Sequence, residues 1–151
     1  MISRTVLVAL EDFDGVDASR AAAAIGRGLR AASDGALGVD LCPLERDDDD
    51  PRARASAAIA GRLVAMDFDA RMRAARALVV GAARLDESTL LGSAIFEIAT
   101  RARQAGVPAY AVTAANALGP FDARMLDLQV VLQARDVRAL RRVGEQLAAI
   151  V

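Results

Sequence analysis

Thr5-Val6-Leu7-Val8-Ala9-Leu10 decides the fold. The run carries no charge and is apolar at odd and even positions alike, so a strand made from it must be covered on both faces. That is the condition of an inner strand in a parallel sheet with helices above and below. The chain then turns polar at Glu11-Asp12-Phe13-Asp14-Gly15 and becomes helical over about 18–33. Ala22, Ile25, Leu29 and Ala32 make the inner stripe of this helix, and Arg20, Arg27 and Arg30 face out.

The same alternation repeats to the C-terminus. A second strand, Leu37 to Leu41, ends at Cys42-Pro43 and runs into Glu45 to Asp50. From Pro51 to Ala75 the chain is rich in Ala and Arg, with Ile59, Leu63 and Met66 at helical spacing and a break expected near Asp67. Strand three is Ala77 to Val80; its helix, about 87–105, starts behind an N-cap at Asp86 and stops at Gly106 with Pro108 beyond. Strand four is Ala109 to Thr113 and strand five Leu128 to Leu132. Asp136 caps a last helix whose Val137, Leu140, Val143, Leu147 and Ile150 form one face. Strands alternating with helices predict a single-domain α/β protein over residues 1–151. It is three-layered and doubly wound, with a mainly parallel five-stranded sheet in an order such as 2-1-3-4-5, Rossmann- or flavodoxin-like.

Composition narrows the chemistry. With 151 residues and 54% apolar content the chain can build one real core. Its 19 basic and 20 acidic residues nearly cancel, so no overall field draws it to nucleic acid or to a membrane surface. All the basic residues are Arg: there is no imidazole for proton transfer and no amine for a Schiff base or for gripping a phosphate. The lone Cys42 excludes an internal disulfide and reads as a buried structural thiol, since no His exists to activate it. No signal-peptide pattern precedes strand one and no apolar run is long enough to span a bilayer, so a cytoplasmic protein is expected.

Ligands of doubly wound sheets bind outside the carboxyl ends of the strands, which directs attention to Glu11–Gly15, Gly81–Gly92 and Thr113–Gly119. The first turn gathers Glu11, Asp12 and Asp14, an oxygen-rich group that reads either as a solvated turn and cap or as carboxylates for Mg²⁺. The second holds Gly81, Arg84, Asp86, Ser88, Thr89 and Gly92; a helix start beside an Arg can receive a small anion, and the plainer reading is a capped helix. It is not a G-x-x-x-x-G-K-[ST] loop, because spacing and Lys are both wrong. The third reads as a connection. Four consecutive Asp residues, 47 to 50, point in different directions and read as a solvated loop, so no metal site is assigned.

These stretches have a family likeness. Val6-Leu7-Val8-Ala9-Leu10-Glu11-Asp12-Phe13-Asp14-Gly15 and the Ala-rich helix after it resemble the opening of bacterial glycerate kinases, A-P-D-S-F-K-G followed by such a helix. Phe68 to Gly81, running on through Asp86 and Gly92 to Gly106-Val107-Pro108, resembles the family's D-L-V-I-T-G-E-G-R-L-D-x-Q-[ST]-L-x-G-K-x-P and its later G-V-P. The likeness covers about 5–44 and 60–132; a large central region of the family is missing, and 45–58 stands in its place.

Where the likeness implies chemistry, side chains are missing. The Lys of the family's first motif falls on Asp14, the Glu and second Gly of G-E-G on Ala82 and Ala83, the Gln on Ser88 and the second Lys on Ser93. Phe13, Gly15, Gly81, Arg84, Leu85, Asp86, Thr89 and Gly92 are retained. Phosphoryl transfer needs cations against the developing charge, and Lys replaced by Asp works against it. The resemblance therefore implies a glycerate-kinase-like domain without catalysis that binds a small anion or a partner, with a homodimer through 51–75 expected. The alternative is a shortened or split glycerate kinase using ATP and Mg²⁺, in which Asp12, Asp14, Arg84, Asp86 and Ser88 are the surviving site. A nucleotide-binding regulator is a weaker third reading, since no G-x-G-x-x-G follows strand one.

Overall fold

The apolar strand at the start lies inside the sheet, as its composition requires. In the computed structural model, which describes residues 3–45 and 56–151, β1 (Thr5–Leu10) pairs in parallel with β2 (Gly38–Leu41) on one side and β3 (Ala77–Leu85) on the other. β4 (Ala109–Asn116) and β5 (Leu128–Gln133) continue the sheet, all parallel, in the order β2-β1-β3-β4-β5. Val6 through Leu10 have no exposed surface. Val6, Val8 and Leu10 pack with the layer of α1 (Ala18–Ala32) and α6 (Val137–Ala148), whereas Leu7 and Ala9 join the opposite core. That second core is closed by α2 (Ser56–Ala65), α3 (Phe68–Ala74) and α4 (Ala94–Ala105), with Leu63, Phe68, Met72, Ile95 and Ile98 as its larger members. A three-layer, doubly wound single domain results.

Helix ends follow local side-chain chemistry. Asp17 accepts the Arg20 N–H at 2.8 Å to start α1, and Asp136 accepts that of Ala139 at 2.8 Å to start α6. The expected break near Asp67 is present: Asp67 takes a left-handed conformation (φ 53°) between α2 and α3. Glycines decide how closely the α1–α6 layer packs. A Cβ on Gly28 would stand 2.0 Å from the Arg141 carbonyl oxygen, and one on Gly144 2.3 Å from that of Ile25. The two helices therefore cross backbone against backbone.

Several expected boundaries are corrected. Strand three does not stop at Val80 but runs on to Leu85, and strand four continues past Thr113 to Asn116, because the two go on pairing through Ala82–Thr113 and Leu85–Asn116. The single helix expected over 87–105 is two pieces, a 3-10 turn at Glu87–Leu90 and α4, separated at Gly92 by a backbone with φ 89°. Ser93 makes the second start, accepting the Phe96 N–H at 3.1 Å. A short helix, α5 (Pro120–Met125), was not expected. Ala32 is exposed rather than inward, and Ile150 lies beyond α6 and is 52% exposed. Cys42 is buried as expected, and burial pushes its thiol pKa up while the Arg71 guanidinium opposes the shift. The acidic run Asp47 to Asp50 and the start of the 51–75 segment lie outside the described residues.

The glycine crossing yields a direct test. Gly144→Ala must push a carbonyl aside and is expected to destabilise the protein by about 3 kcal/mol. Gly61→Ala, in α2 with open space around it, is expected to stabilise by roughly 0.5–1 kcal/mol. Urea unfolding midpoints for the two variants check both values.

Candidate functional site

Because chain connections leave β1 toward β2 on one side and β3 toward β4 on the other, the sheet's switch point falls between β1 and β3. The first two candidate turns start there, and the Glu11 N–H donates to the Gly81 carbonyl at 2.9 Å. Within the first turn, Phe13 and Val16 exchange both backbone hydrogen bonds at 2.8 Å, closing the chain over Asp14-Gly15, with Gly15 at φ 75°. Phe13 is buried beneath; Asp14 and Gly15 are exposed. Asp12 accepts the Ala18 N–H at 2.8 Å, so its carboxylate is engaged at the start of α1. Glu11 is half-buried.

Gly81 and Arg84 belong to β3 itself rather than to a turn. A Cβ at Gly81 would meet the Val112 carbonyl oxygen at 2.4 Å and a Leu10 methyl at 2.8 Å, so Gly here is demanded by the close fit of β3 between its neighbours. Past the strand, Asp86 organises the second turn. It accepts the Ser88 N–H at 2.9 Å and the Arg84 Nε–H at 2.8 Å, and the Ser88 hydroxyl also donates to it. The Thr89 hydroxyl oxygen in turn accepts the Asp86 N–H at 3.1 Å, completing a reciprocal cap. Ser88 and Arg84 together hold the Asp86 carboxyl below the usual carboxylate range. Thr89 is buried, and Gly92 ends the turn.

The third turn is tied to the second. The Ala117 N–H donates to the Leu85 carbonyl at 2.7 Å, and Asn116 accepts the Leu118 N–H at 3.1 Å. Thr113, fully buried, donates to the Ala115 carbonyl at 3.1 Å. The sheet thus brings all three turns to one edge. It does not turn their acidic groups into a metal cage: among the described residues no three Asp, Glu, Cys or His side chains gather as a potential ligand set. Asp12 and Asp86 each give one carboxylate oxygen to a backbone amide, and the described acids do not converge on a common point as Mg²⁺ would require.

One polar contact lay beyond the reach of sequence reading. Arg71 on α3 grips Asp40 on β2 with two bonds of 2.9 and 2.6 Å and donates to the Leu41 carbonyl at 2.9 Å, clamping the edge strand beside Cys42. The partners are 31 residues apart, and no local pattern announces them.

With the geometry in place, comparison with known proteins becomes specific. The model of the glycerate kinase family matches residues 52–142, more than half of the chain, and the chain belongs to that family. The match contains Arg84, Asp86 and the turn after β3; the turn after β1 lies outside it. A solved structure of a protein named glycerate kinase 2 from Salmonella typhimurium LT2 is similar over 79% of this chain at 15% identity, with a TM-score of 0.45. The chain spans 28% of that protein's length. No curated protein matches.

The Asp86 cap has a pH signature. Its carboxyl is depressed in the folded chain, so the stability it adds is present above the unfolded value and is lost as pH falls through the folded one. Asp86→Asn is expected to melt below the parent at neutral pH, with the gap closing below about pH 4. Melting curves of both proteins across that range check it.

Proposed function

We propose that this chain is a glycerate-kinase-like domain that does not catalyse phosphoryl transfer and binds a small anion or a partner at the carboxyl edge of its sheet. The observation that carries this reading is the absence of a basic side chain at both of the family's Lys positions. Asp86 in addition takes up the Ser88 amide and the Arg84 Nε–H. The family's two Lys positions are Asp14, exposed on the first turn, and Ser93, engaged in capping α4. What remains for a ligand is the outer edge of the Arg84 guanidinium, whose side chain is 61% exposed. That suits a small anion held at low affinity more than an ordered nucleotide.

Family membership supports the alternative, a glycerate kinase whose remaining parts are supplied elsewhere, using ATP and Mg²⁺. Self-association through 51–75 belongs to the main proposal. In the described part of that segment Ile59, Leu63, Phe68 and Met72 are spent on the chain's own core, leaving Val64, 75% exposed, as the apolar contact.

A coupled assay with Mg-ATP and D-glycerate is expected to give no turnover, since each lost charge-stabilising group commonly costs a factor of about 10² to 10³. Turnover abolished by Asp86→Ala would overturn the reading in favour of the enzyme. Light scattering is expected to give a dimer mass that Val64→Asp reduces to the monomer; a monomer mass for the parent at all concentrations would remove the 51–75 interface.

A further inference from the structure

Charge is distributed unevenly over this nearly neutral chain. α1 carries Arg20, Arg27 and Arg30 with no acid among its residues, and α6 carries Arg138, Arg141 and Arg142 against the single Glu145. The two helices therefore hold five net positive charges in a protein of net charge −1, and the remainder holds −6. All six guanidinium groups are on exposed residues. Helical spacing makes each set a stripe: Arg20 and Arg27 stand seven apart, and Arg138, Arg141 and Arg142 lie opposite the buried Leu140, Val143 and Leu147.

The glycine crossing sets the helices that carry these stripes side by side. Backbone contact at Gly28 and Gly144 sets the two helix axes closer than larger side chains would permit, so both sets belong to one layer of the fold. Elsewhere in the fold Arg71, Arg84 and Arg101 each hold a carboxylate, while exposed Arg73 and Arg124 stand singly. On this face, among the described residues, only Arg141 does, with Glu145 at 3.7 Å. Five arginines are thus left with their donors in water.

We propose that the outer face of the α1–α6 layer is a docking surface for a short acidic segment of a partner protein. This inference is independent of the reading of the sheet edge. The extent of the patch selects the occupant. α1 is about 22 Å long, and exposed acids bound it, Asp14 and Asp17 at its start and Asp34 past its end. A nucleic-acid duplex or an anionic bilayer would extend past these limits onto the acidic remainder and be repelled there. No large exposed apolar side chain lies within either helix to enter a bilayer. A segment with carboxylates at helical spacing stays within the patch, and Arg grips carboxylates through paired N–H donors.

Fluorescence anisotropy of the full chain with a labelled peptide of about twelve residues, bearing Glu at four-residue spacing, tests the proposal. The peptide is expected to bind, its Gln counterpart not to bind, and affinity to fall with salt between about 50 and 300 mM. Arg27→Glu combined with Arg142→Glu should weaken binding by roughly tenfold or more with unchanged melting. Arg73→Glu, an exposed charge reversal on α3, should leave it within about twofold. Absence of peptide binding, an equal loss in Arg73→Glu, or tighter binding to a short DNA duplex or to phosphatidylserine vesicles than to the peptide would overturn it.

Discussion

The pairing of β1 with β3 is the constraint on which the other features depend. Leu10 lies opposite Gly81, and the next amide, Glu11, donates to the Gly81 carbonyl. A side chain at position 81 would collide with the β4 backbone and with Leu10, so the absence of one lets three strands meet at van der Waals distance. Once these neighbours are fixed, the right-handed crossovers dictate which helices go to which face. The turns after β1 and β3 then have no choice but to adjoin.

Most of the scaffold was legible because burial writes a period into sequence. The all-apolar strand one, the arginine-out stripe of α1 and the cap at Asp136 each follow from a local pattern that the tertiary structure reinforces. What escaped was conformation decided by distant neighbours. Gly81-Ala82-Ala83 reads as a turn in isolation, yet pairing with Val112 and Thr113 keeps it extended. The split between the 3-10 turn and α4 rests on one left-handed residue, Gly92, whose angle no spacing rule reveals. Of the candidate site, the positions were readable and their state was not. Asp12 and Asp86 look like available carboxylates until the amides of Ala18 and Ser88 are found on them.

Membership of a kinase family and the retained motif residues therefore answer different questions. Gly81, Asp86, Thr89 and Gly92 all have conformational duties in this chain: a close strand contact, a reciprocal cap and a left-handed hinge. Those duties are sufficient reason for the residues to be where they are. A motif can thus be held in place by architecture, and its presence alone does not measure activity.

The Arg71–Asp40 clamp also bears on how such a sheet remains free of others like it. A stack of apolar parallel strands ends in two rims whose unpaired amides invite another chain. At the β2 rim the strand spans only Gly38–Leu41, and its Asp40 carries a charge held in place by Arg71. At the opposite rim β5 is uncharged, but it advances three positions from Leu128 to Val131 where β4 advances two from Ala109 to Ala111, an irregularity that interrupts its regular pairing. Neither rim is long, regular and neutral at once, which are the features that favour edge-to-edge addition of another sheet.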